Sequence, residues 1–434
     1  MTPVRLLHIL PQVGPLGATR GVITTANELA RDGAFSHVIA SLTPAAPAFR
    51  SFIAARGLPF IDAREEIKAA ISEADIVHAR YWNSPAFFEF WSTQLDPMRL
   101  LLTSNVSGRN APQYAPDDVL ALANTTIASS GVSAQELALR APRPVRLIHA
   151  AADFSRFNEL PAIRKGRGTI GAMMALEEAK AHRGIYTLLA RAARDAQAIL
   201  GGEGAMLAEI AASARAEDNI KIAGHISDIE KFFKDVDLFA HPLAPHSYAT
   251  SEASVHEAMY AGRPPILLAG RGPVDLIAPG LTGIVAQDEN AFVEAARHLA
   301  QDGETRAKMG RAARDFATET LGPGPIAAQH RALYLEALER PRTAVAPLKA
   351  RSGAQALLHA FGPESDDLLS LMGQLTRAER PVSALPLRWI APSSGGILHY
   401  RRHYPDDRDL RAWAALSFEK MGRPAMAAME RRAL

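Results

Sequence analysis

The sequence predicts an α/β protein of two tandem Rossmann-like, doubly wound domains with a helical C-terminal extension. Three features of its 434 residues predict this fold. Short leucine-rich or β-branched runs alternate with longer segments of helical periodicity, which is typical of a parallel sheet covered on both faces. The alternation breaks at the polar, basic stretch 161–168 and then starts again. After the second series the strand signal ends and only helical segments follow.

The first series holds seven strand candidates separated by helical segments. Its first helix carries Val22, Ile23 and Leu29 on one face, and Gly33 suits the end of that helix because glycine tolerates positive φ. Ser133 and Glu136 have the spacing of a capping box and predict the start of another helix. The predicted strands are 6–10, 38–42, 59–61, 76–79, 100–103, 126–129 and 145–148.

The second series holds six strand candidates and ends in three helices. Ser227 and Glu230 form a second predicted capping box. The predicted strands are 169–173, 198–200, 220–223, 238–241, 265–268 and 283–285, and the closing helices are 289–301, 304–319 and 325–338.

These patterns predict three parts: 1–160, 161–340, and a linker with a helical extension at 341–434. The segment 341–347 is predicted to be the linker. Helical patches follow around Leu357 and over 368–375 and 410–429. We expect the extension to pack on the second domain and to offer a surface for a protein or a membrane.

Composition excludes several classes of protein. There are 48 lysines and arginines against 46 acids, so the net charge of +2 does not favour a nucleic-acid partner. Without cysteine the chain has no disulfide, Cys-ligated zinc or thiol catalysis, which fits a cytoplasmic protein. His78, His149, His241 and His256 lack a ligand-spaced pair such as HExxH, so we expect no metal site and no cofactor. We expect no export signal and no membrane-spanning helix.

Tandem doubly wound sheets leave a cleft between their carboxyl-terminal edges, where ligands bind. Helix N-termini at such a cleft suit phosphate groups. Three loops are expected to face it, and none matches GxGxxG or a P-loop. They are 14–20 with Gly17 and Arg20, 247–264 with Ser251, Glu252 and Glu257, and 270–275 with Gly272 and Asp275.

The second of these loops is predicted to lead into a helix. Thr250 or Ser251 would cap that helix, which would end near Gly262. Glu257 would then lie nearly two turns in and face a sugar's hydroxyls, whereas Glu252 would lie on a different face.

Several motifs together resemble the GT-B glycosyltransferases, in particular retaining family 4. In the second domain the resemblance rests on 200–204, 222–224, 236–242, Glu257-Ala258-Met259 and 261–264, and in the first on Gly17, Arg20, 75–79 and 148–157. The resemblance implies a retaining transfer from a UDP- or GDP-sugar type of donor to an unknown glycan, lipid-linked or protein acceptor.

The resemblance also implies site residues. The acid matching Glu257 binds ribose hydroxyls in the family, and the acid matching Asp275 approaches the donor sugar. Lys180 or Arg183 would hold the diphosphate and assist catalysis, the choice between them being open. Further donor-side candidates are Gly17, Gly171, Glu203, Ser251, Glu252 and Gly272, and acceptor-side candidates are Arg20, His78 and Arg80.

Two departures keep other functions open. Ala249 stands where the family has the first acid of its Glu-x7-Glu motif, and Ala172 replaces the arginine of its diphosphate loop. Weaker donor binding is therefore expected, and Glu252 replaces the missing acid only if the loop is rearranged. The alternatives are a GT-B scaffold that binds or assembles without catalysis, and a sugar-nucleotide epimerase.

Overall fold

The computed structural model describes residues 2–14, 17–215, 219–391 and 395–433. Its first sheet has seven parallel strands in the order β3-β2-β1-β4-β5-β6-β7. The strands are β1 Val4–Leu10, β2 Phe35–Ser41, β3 Phe60–Ile61, β4 Ile76–Tyr81, β5 Leu100–Ser104, β6 Thr125–Ala128 and β7 Val145–Leu147. The helices between them are α1 Gly17–Ala30, α2 Pro47–Ala54, α3 Arg64–Glu73, α4 Pro85–Trp91, α5 Asp117–Ala121 and α6 Gly131–Ala138.

The second sheet has six parallel strands in the order β10-β9-β8-β11-β12-β13. Its strands are β8 Thr169–Met173, β9 Gln197–Gly201, β10 Ile220–Gly224, β11 Leu238–His241, β12 Pro265–Leu268 and β13 Ile284–Ala286. Its helices are α7 Ile185–Ala192, α8 Leu207–Ser213, α9 Ile229–Asp235, α10 Ala253–Tyr260, α11 Glu289–Gln301 and α12 Gly303–Phe316, and a π-helical turn, Ala317–Leu321, follows α12. The predicted fold class of two doubly wound sheets is confirmed.

Two predicted helix caps are wrong by one to three residues. Ser130, not Ser133, caps α6, since its Oγ accepts a hydrogen bond from the Ser133 amide. Asp228, not Ser227, caps α9 through the Lys231 amide. In each case two residues able to cap a helix lie close together in sequence. The path of the chain between the strand and the helix determines which of them reaches the free amides.

The helix α13, Pro323–Leu338, returns from the second domain to the first. Its Ile326, Leu333 and Tyr334 share a buried core with Leu6 and Ile76 of the first sheet. The hydroxyl of Tyr334 also lies 2.9 Å from Nδ1 of the buried His78. The crossover joins the two domains along one face of the first sheet.

The C-terminal extension consists of helices α14 Gly353–Phe361, α15 Ser365–Thr376, α16 Leu387–Ile390, α17 Ile397–His403, α18 Arg408–Lys420 and α19 Pro424–Arg432. It packs on the first domain, so the expectation that it packs on the second is wrong. Its Leu357 and Trp413 join the core that contains Phe88 and Trp91 of α4. The aromatic side chains of α4 need a cover that α1 and α13 do not supply, and the extension provides it.

Polar contacts fix the extension in place. Oδ1 of the buried Asn83 accepts a hydrogen bond of 2.6 Å from the Tyr400 hydroxyl. Nδ2 of Asn83 donates to the Gly395 carbonyl at 3.1 Å. The extension also reaches the second domain, where the Arg388 amide donates to Glu178 Oε2 at 3.1 Å. Within the described part of the chain, no helix is long and apolar enough to cross a membrane.

Candidate functional site

A cavity of about 590 Å³ lies between the two sheets. Each sheet reverses its winding direction at one point, between β1 and β4 in the first and between β8 and β11 in the second. Gln12 follows β1, Trp82 follows β4 and Met174 follows β8, and all three line the cavity. The cavity therefore joins the switch points of both sheets, which is where doubly wound folds bind ligands.

Two helix N-termini meet at this cavity. Gly17 and Ala18 of α1 line it from the first domain, and Ala253 and Ser254 of α10 line it from the second. A β-carbon added to Gly17 would lie 3.2 Å from Cβ of Ala253, so the glycine allows the close approach. The N-terminal amides of both helices create a positive potential there. Pro15 and Leu16, which belong to the predicted glycine loop, lie outside the described residues.

The start of α10 differs from the prediction. The helix begins at Ala253, and the N-cap residue before it, Glu252, has a left-handed backbone with φ 48. Neither Thr250 nor Ser251 caps it. The Ser251 hydroxyl instead accepts a hydrogen bond of 2.9 Å from the Ala150 amide, and thereby connects the two domains at the cavity wall.

Lys180 and Glu252 form a partly buried ion pair on the second-domain wall. Nζ of Lys180 lies 3.1 Å from Oε2 of Glu252, and Nε2 of His241 lies 3.1 Å from the same oxygen. Burial alone would raise the pKa of Glu252, but Lys180 and the His241 hydrogen bond lower it to about 2. Burial alone would lower the pKa of Lys180, but Glu252 raises it to about 12. Both groups are charged at neutral pH.

Of the two cations left open by the sequence, Lys180 is the one at the cavity. Arg183 is 61% exposed and lies 3.3 Å from Glu178 on the outer side of the loop. The loop turns sharply because the Lys180 amide donates to the Glu177 carbonyl and the Lys180 carbonyl accepts from the Ala244 amide. This turn points Lys180 inward.

Glu257 is buried but lies behind the cavity wall. Its Oε1 accepts a hydrogen bond of 2.6 Å from Nη1 of Arg156. Burial raises the pKa of Glu257 to about 7, against the opposing effect of Arg156. A ribose would have to displace Arg156 to reach this carboxylate, so the ribose role stays a prediction.

Asp275 bridges the two domains. Its Oδ2 lies 3.2 Å from Nε2 of His149, and the Gly131 amide at the start of α6 also donates to its carboxylate. Burial would raise the pKa of Asp275, but these hydrogen bonds lower it. The structure therefore places Asp275 at the interdomain contact and outside the cavity lining.

The remaining predicted residues divide between the cavity and its surroundings. Arg80 lines the cavity. Gly171 packs against Val236 inside the second domain, and Gly272 lies next to Leu243 with φ +58. Glu203, His78 and Arg20 lie outside the lining. The Glu203 side chain is 67% exposed and lies beside His225, His78 is buried, and Arg20 lies 4.0 Å from Asp153.

The sequence analysis missed several residues of the lining. They include Glu177, Tyr248, Trp82 and His330. Trp82 had a detectable signal, since it lies three residues after the predicted strand 76–79. His330 had none, because only the return of α13 to the first domain brings it there.

The described residues hold no group of three or more metal-ligating acids and histidines. The cavity instead offers the partly buried ammonium of Lys180, the buried guanidinium of Arg80 and two helix N-termini. Such donors recognise anionic, phosphate-bearing ligands.

Comparisons with known proteins agree with this architecture. The family model described as glycosyl transferases group 1 matches residues 167–302. HepE from Anabaena, solved in complex with UDP, aligns with a TM-score of 0.62 and 17% identity over 77% of this chain and 100% of that one. A glycosyltransferase from Rickettsia africae ESF-5 aligns with a TM-score of 0.58 and 16% identity over 79% and 100% of the two chains.

A third solved structure, sucrose-phosphate synthase from Thermosynechococcus elongatus, aligns with a TM-score of 0.56 and 17% identity over 77% of this chain and 98% of that one. At these identities the likeness establishes the GT-B fold. No match was found among curated protein sequences.

Proposed function

We propose that the protein transfers a sugar from a nucleotide-sugar donor to an acceptor, because residues 167–302 match the family model of glycosyl transferases group 1 and the chain has the GT-B fold. The donor would lie against the second domain and the acceptor against the first. The observation that carries this proposal is the cavity at the two switch points, with Lys180 and the N-terminus of α10 on its second-domain wall.

The donor diphosphate is proposed to bind between Lys180 and the first amides of α10. Lys180 is partly buried and cationic, so a phosphate oxygen would compete with Glu252 for its ammonium group. As the bond from the sugar to the diphosphate breaks, negative charge grows on the leaving oxygen. A fixed ammonium and helix amides stabilise that charge in a water-poor cavity. We propose that this arrangement works without a metal or other cofactor, and that the anomeric configuration is retained as in the family.

The ligands of structurally similar proteins suggest which nucleotide base and which sugar of the donor to test first. Anabaena HepE has been solved with UDP and with UDP-glucose. These complexes support UDP and UDP-glucose as the first ligands to test, with GDP- and ADP-sugars as the comparison set.

Calorimetry with UDP and variants of Lys180 tests the donor site. Losing a charge-assisted hydrogen bond costs about 1.5–3 kcal/mol, so we expect Lys180→Met to weaken UDP binding about tenfold or more. The matched control is Lys68→Met, because Lys68 forms a surface pair with Glu65 on α3. Lys180→Arg retains the charge and separates loss of the ligand contact from loss of the fold. Equal UDP affinities of wild type and Lys180→Met would contradict the proposed donor site.

The second candidate function is a scaffold that binds nucleotide without transferring sugar. The ion pairs at the site favour it: Glu252 already neutralises Lys180, and Arg156 already occupies Glu257. Ala249, at the position of the family's first acid, is buried and supplies no carboxylate. Product analysis with each donor and a panel of glycan, lipid-linked and protein acceptors separates the two. Tight UDP binding with no transfer or hydrolysis would favour the scaffold.

A further inference from the structure

Arg80 is a buried cation without a counter-ion on the first-domain wall of the cavity. Its side chain lines the cavity although the residue is only 6% exposed. Among the described residues its Nε has no hydrogen-bond partner, and no carboxylate forms an ion pair with its guanidinium. Burial lowers the pKa of Arg80 to about 10, so the group is charged at neutral pH.

Two other buried arginines of this protein donate hydrogen bonds to backbone carbonyls of the fold. Arg263 donates to the carbonyls of Phe233 and Ala162 at 2.9 and 3.0 Å. Arg306 donates through Nη1 to the Leu299 carbonyl at 2.6 Å, although its Nε, like that of Arg80, has no partner among the described residues. An arginine that costs burial energy without such partners points to a partner supplied from outside the chain.

The titratable groups near Arg80 are three histidines and Tyr334, whose pKa is raised by burial, and all four are uncharged at neutral pH. His8, His78 and His330 lie near it, and burial followed by the positive charge of Arg80 lowers the pKa of His330 to about 3. His330 lines the same cavity, and its buried Nδ1 has no partner among the described residues. The first-domain wall thus presents a cation and a neutral imidazole, and no negative charge compensates them there.

We propose that Arg80 anchors an anion-binding subsite on the first-domain wall, and that the acceptor therefore carries a phosphate or carboxylate group that binds there. The acceptor assignment rests on the proposed function. Arg80 and Thr103 are cross-strand partners on β4 and β5, and both line the cavity. His330 lines the same cavity, so this wall offers a guanidinium, a hydroxyl and an imidazole. A guanidinium can hold a planar or tetrahedral oxyanion through two hydrogen bonds.

The position of Arg80 favours the acceptor over the donor as the source of the anion. The proposed donor diphosphate lies at Lys180 and α10 of the second domain, whereas Arg80 belongs to β4 of the first. The donor and an anionic acceptor would then bind to opposite walls of the cavity. The donor diphosphate would contact Lys180, and the anionic group of the acceptor would contact Arg80.

Calorimetry with inorganic phosphate and with acetate, each in the absence and presence of saturating UDP, tests the subsite. We expect at least one of these anions to bind, and to bind equally well to the UDP complex. Arg80→Met should weaken that binding about tenfold or more, and Arg80→Lys should weaken it less. The control Arg31→Met, at a residue whose side chain is 76% exposed, should leave it unchanged.

The preferred anion separates the two acceptor chemistries. Stronger binding of phosphate indicates a phosphorylated acceptor, and stronger binding of acetate indicates a carboxylate. Failure of both anions to bind wild-type protein, or their displacement by UDP, would overturn the proposal. UDP binding without anion binding refutes the subsite alone, whereas anion binding without UDP binding refutes the donor site alone.

Thermal unfolding provides a readout that does not need a ligand. Because Arg80 is an unpaired buried charge, Arg80→Met should unfold at a higher temperature than wild type in phosphate-free buffer. Added phosphate should raise the melting temperature of wild type and not that of Arg80→Met. A lower melting temperature for Arg80→Met in phosphate-free buffer would mean that the fold itself satisfies Arg80, and would contradict the proposal.

Discussion

Replacing Glu252 by glutamine is expected to weaken the fold and to tighten binding of the donor diphosphate. In wild type, Lys180 and His241 both lie 3.1 Å from Oε2 of Glu252. The carboxylate has a pKa of about 2 in the folded protein against an ordinary value of 4.5. At about 1.4 kcal/mol per pH unit, this difference corresponds to about 3 kcal/mol of stability at neutral pH.

The sign of the pH dependence follows from the direction of the pKa change. An acid whose pKa is lowered by folding stabilises the protein above its unfolded pKa. That contribution is lost as the pH falls from about 4.5 to about 2. The stability difference between wild type and Glu252→Gln should therefore be about 3 kcal/mol at neutral pH and should narrow below about pH 4. Urea unfolding of both proteins, followed by circular dichroism at neutral pH and below about pH 4, measures this stability difference.

Donor binding should change in the opposite direction. Without Glu252 the ammonium of Lys180 is free for a phosphate oxygen, and a negative charge has left the cavity wall. One charge-assisted hydrogen bond is worth about 1.5–3 kcal/mol, so UDP should bind about tenfold more tightly to Glu252→Gln. The matched control is Glu65→Gln, which breaks a surface pair with Lys68 and should change stability by less than about 1 kcal/mol. Unchanged stability, or weaker UDP binding, would refute this account of the ion pair.

The remaining predictions concern the fold. Asn83→Ala should destabilise the protein by about 3 kcal/mol in urea unfolding, because the buried Tyr400 hydroxyl and the Gly395 carbonyl lose their partner. Tyr400→Phe removes one hydrogen bond and should destabilise the protein by about half as much. If both variants were as stable as wild type, Asn83 would not hold the extension in place. Gly303→Ala should destabilise by about 3 kcal/mol, since its new β-carbon would lie 1.6 Å from the Lys165 carbonyl oxygen. The control is Gly324→Ala, which should leave stability unchanged or raise it, because nothing lies within 4 Å of the added β-carbon. Unchanged stability of Gly303→Ala would show that Gly303 is not packed closely against the Lys165 carbonyl.

The fold was largely predictable because its signals are local. Each buried strand is a short apolar run, and the break at 161–168 separates the two series. The location of α13 and of the extension was not predictable. Helix α13 packs on the face of the first sheet beside His78, and the extension packs on the aromatic side chains of α4. Both surfaces form only in the folded structure. Apolar helices carry no local mark of the surface on which they pack.

The site was predictable in its loops and less so in its side chains. Lys180 and Arg183 are three residues apart in an extended loop, and only the turn at Glu177 and Ala244 decides that Lys180 points inward. His78 and Arg80 lie two residues apart on one face of β4. Tyr334 covers His78, whereas Arg80 is closer to the strand's end and reaches the cavity. These differences depend on tertiary contacts.

A crystal structure of the protein with UDP tests the central claim most directly. The account predicts the diphosphate in the cavity between the two sheets, within hydrogen-bond distance of Lys180 Nζ and of the Ala253 and Ser254 amides. UDP bound elsewhere on the molecule, or a diphosphate in the cavity that leaves the Lys180–Glu252 pair intact and touches neither Lys180 nor α10, would contradict it.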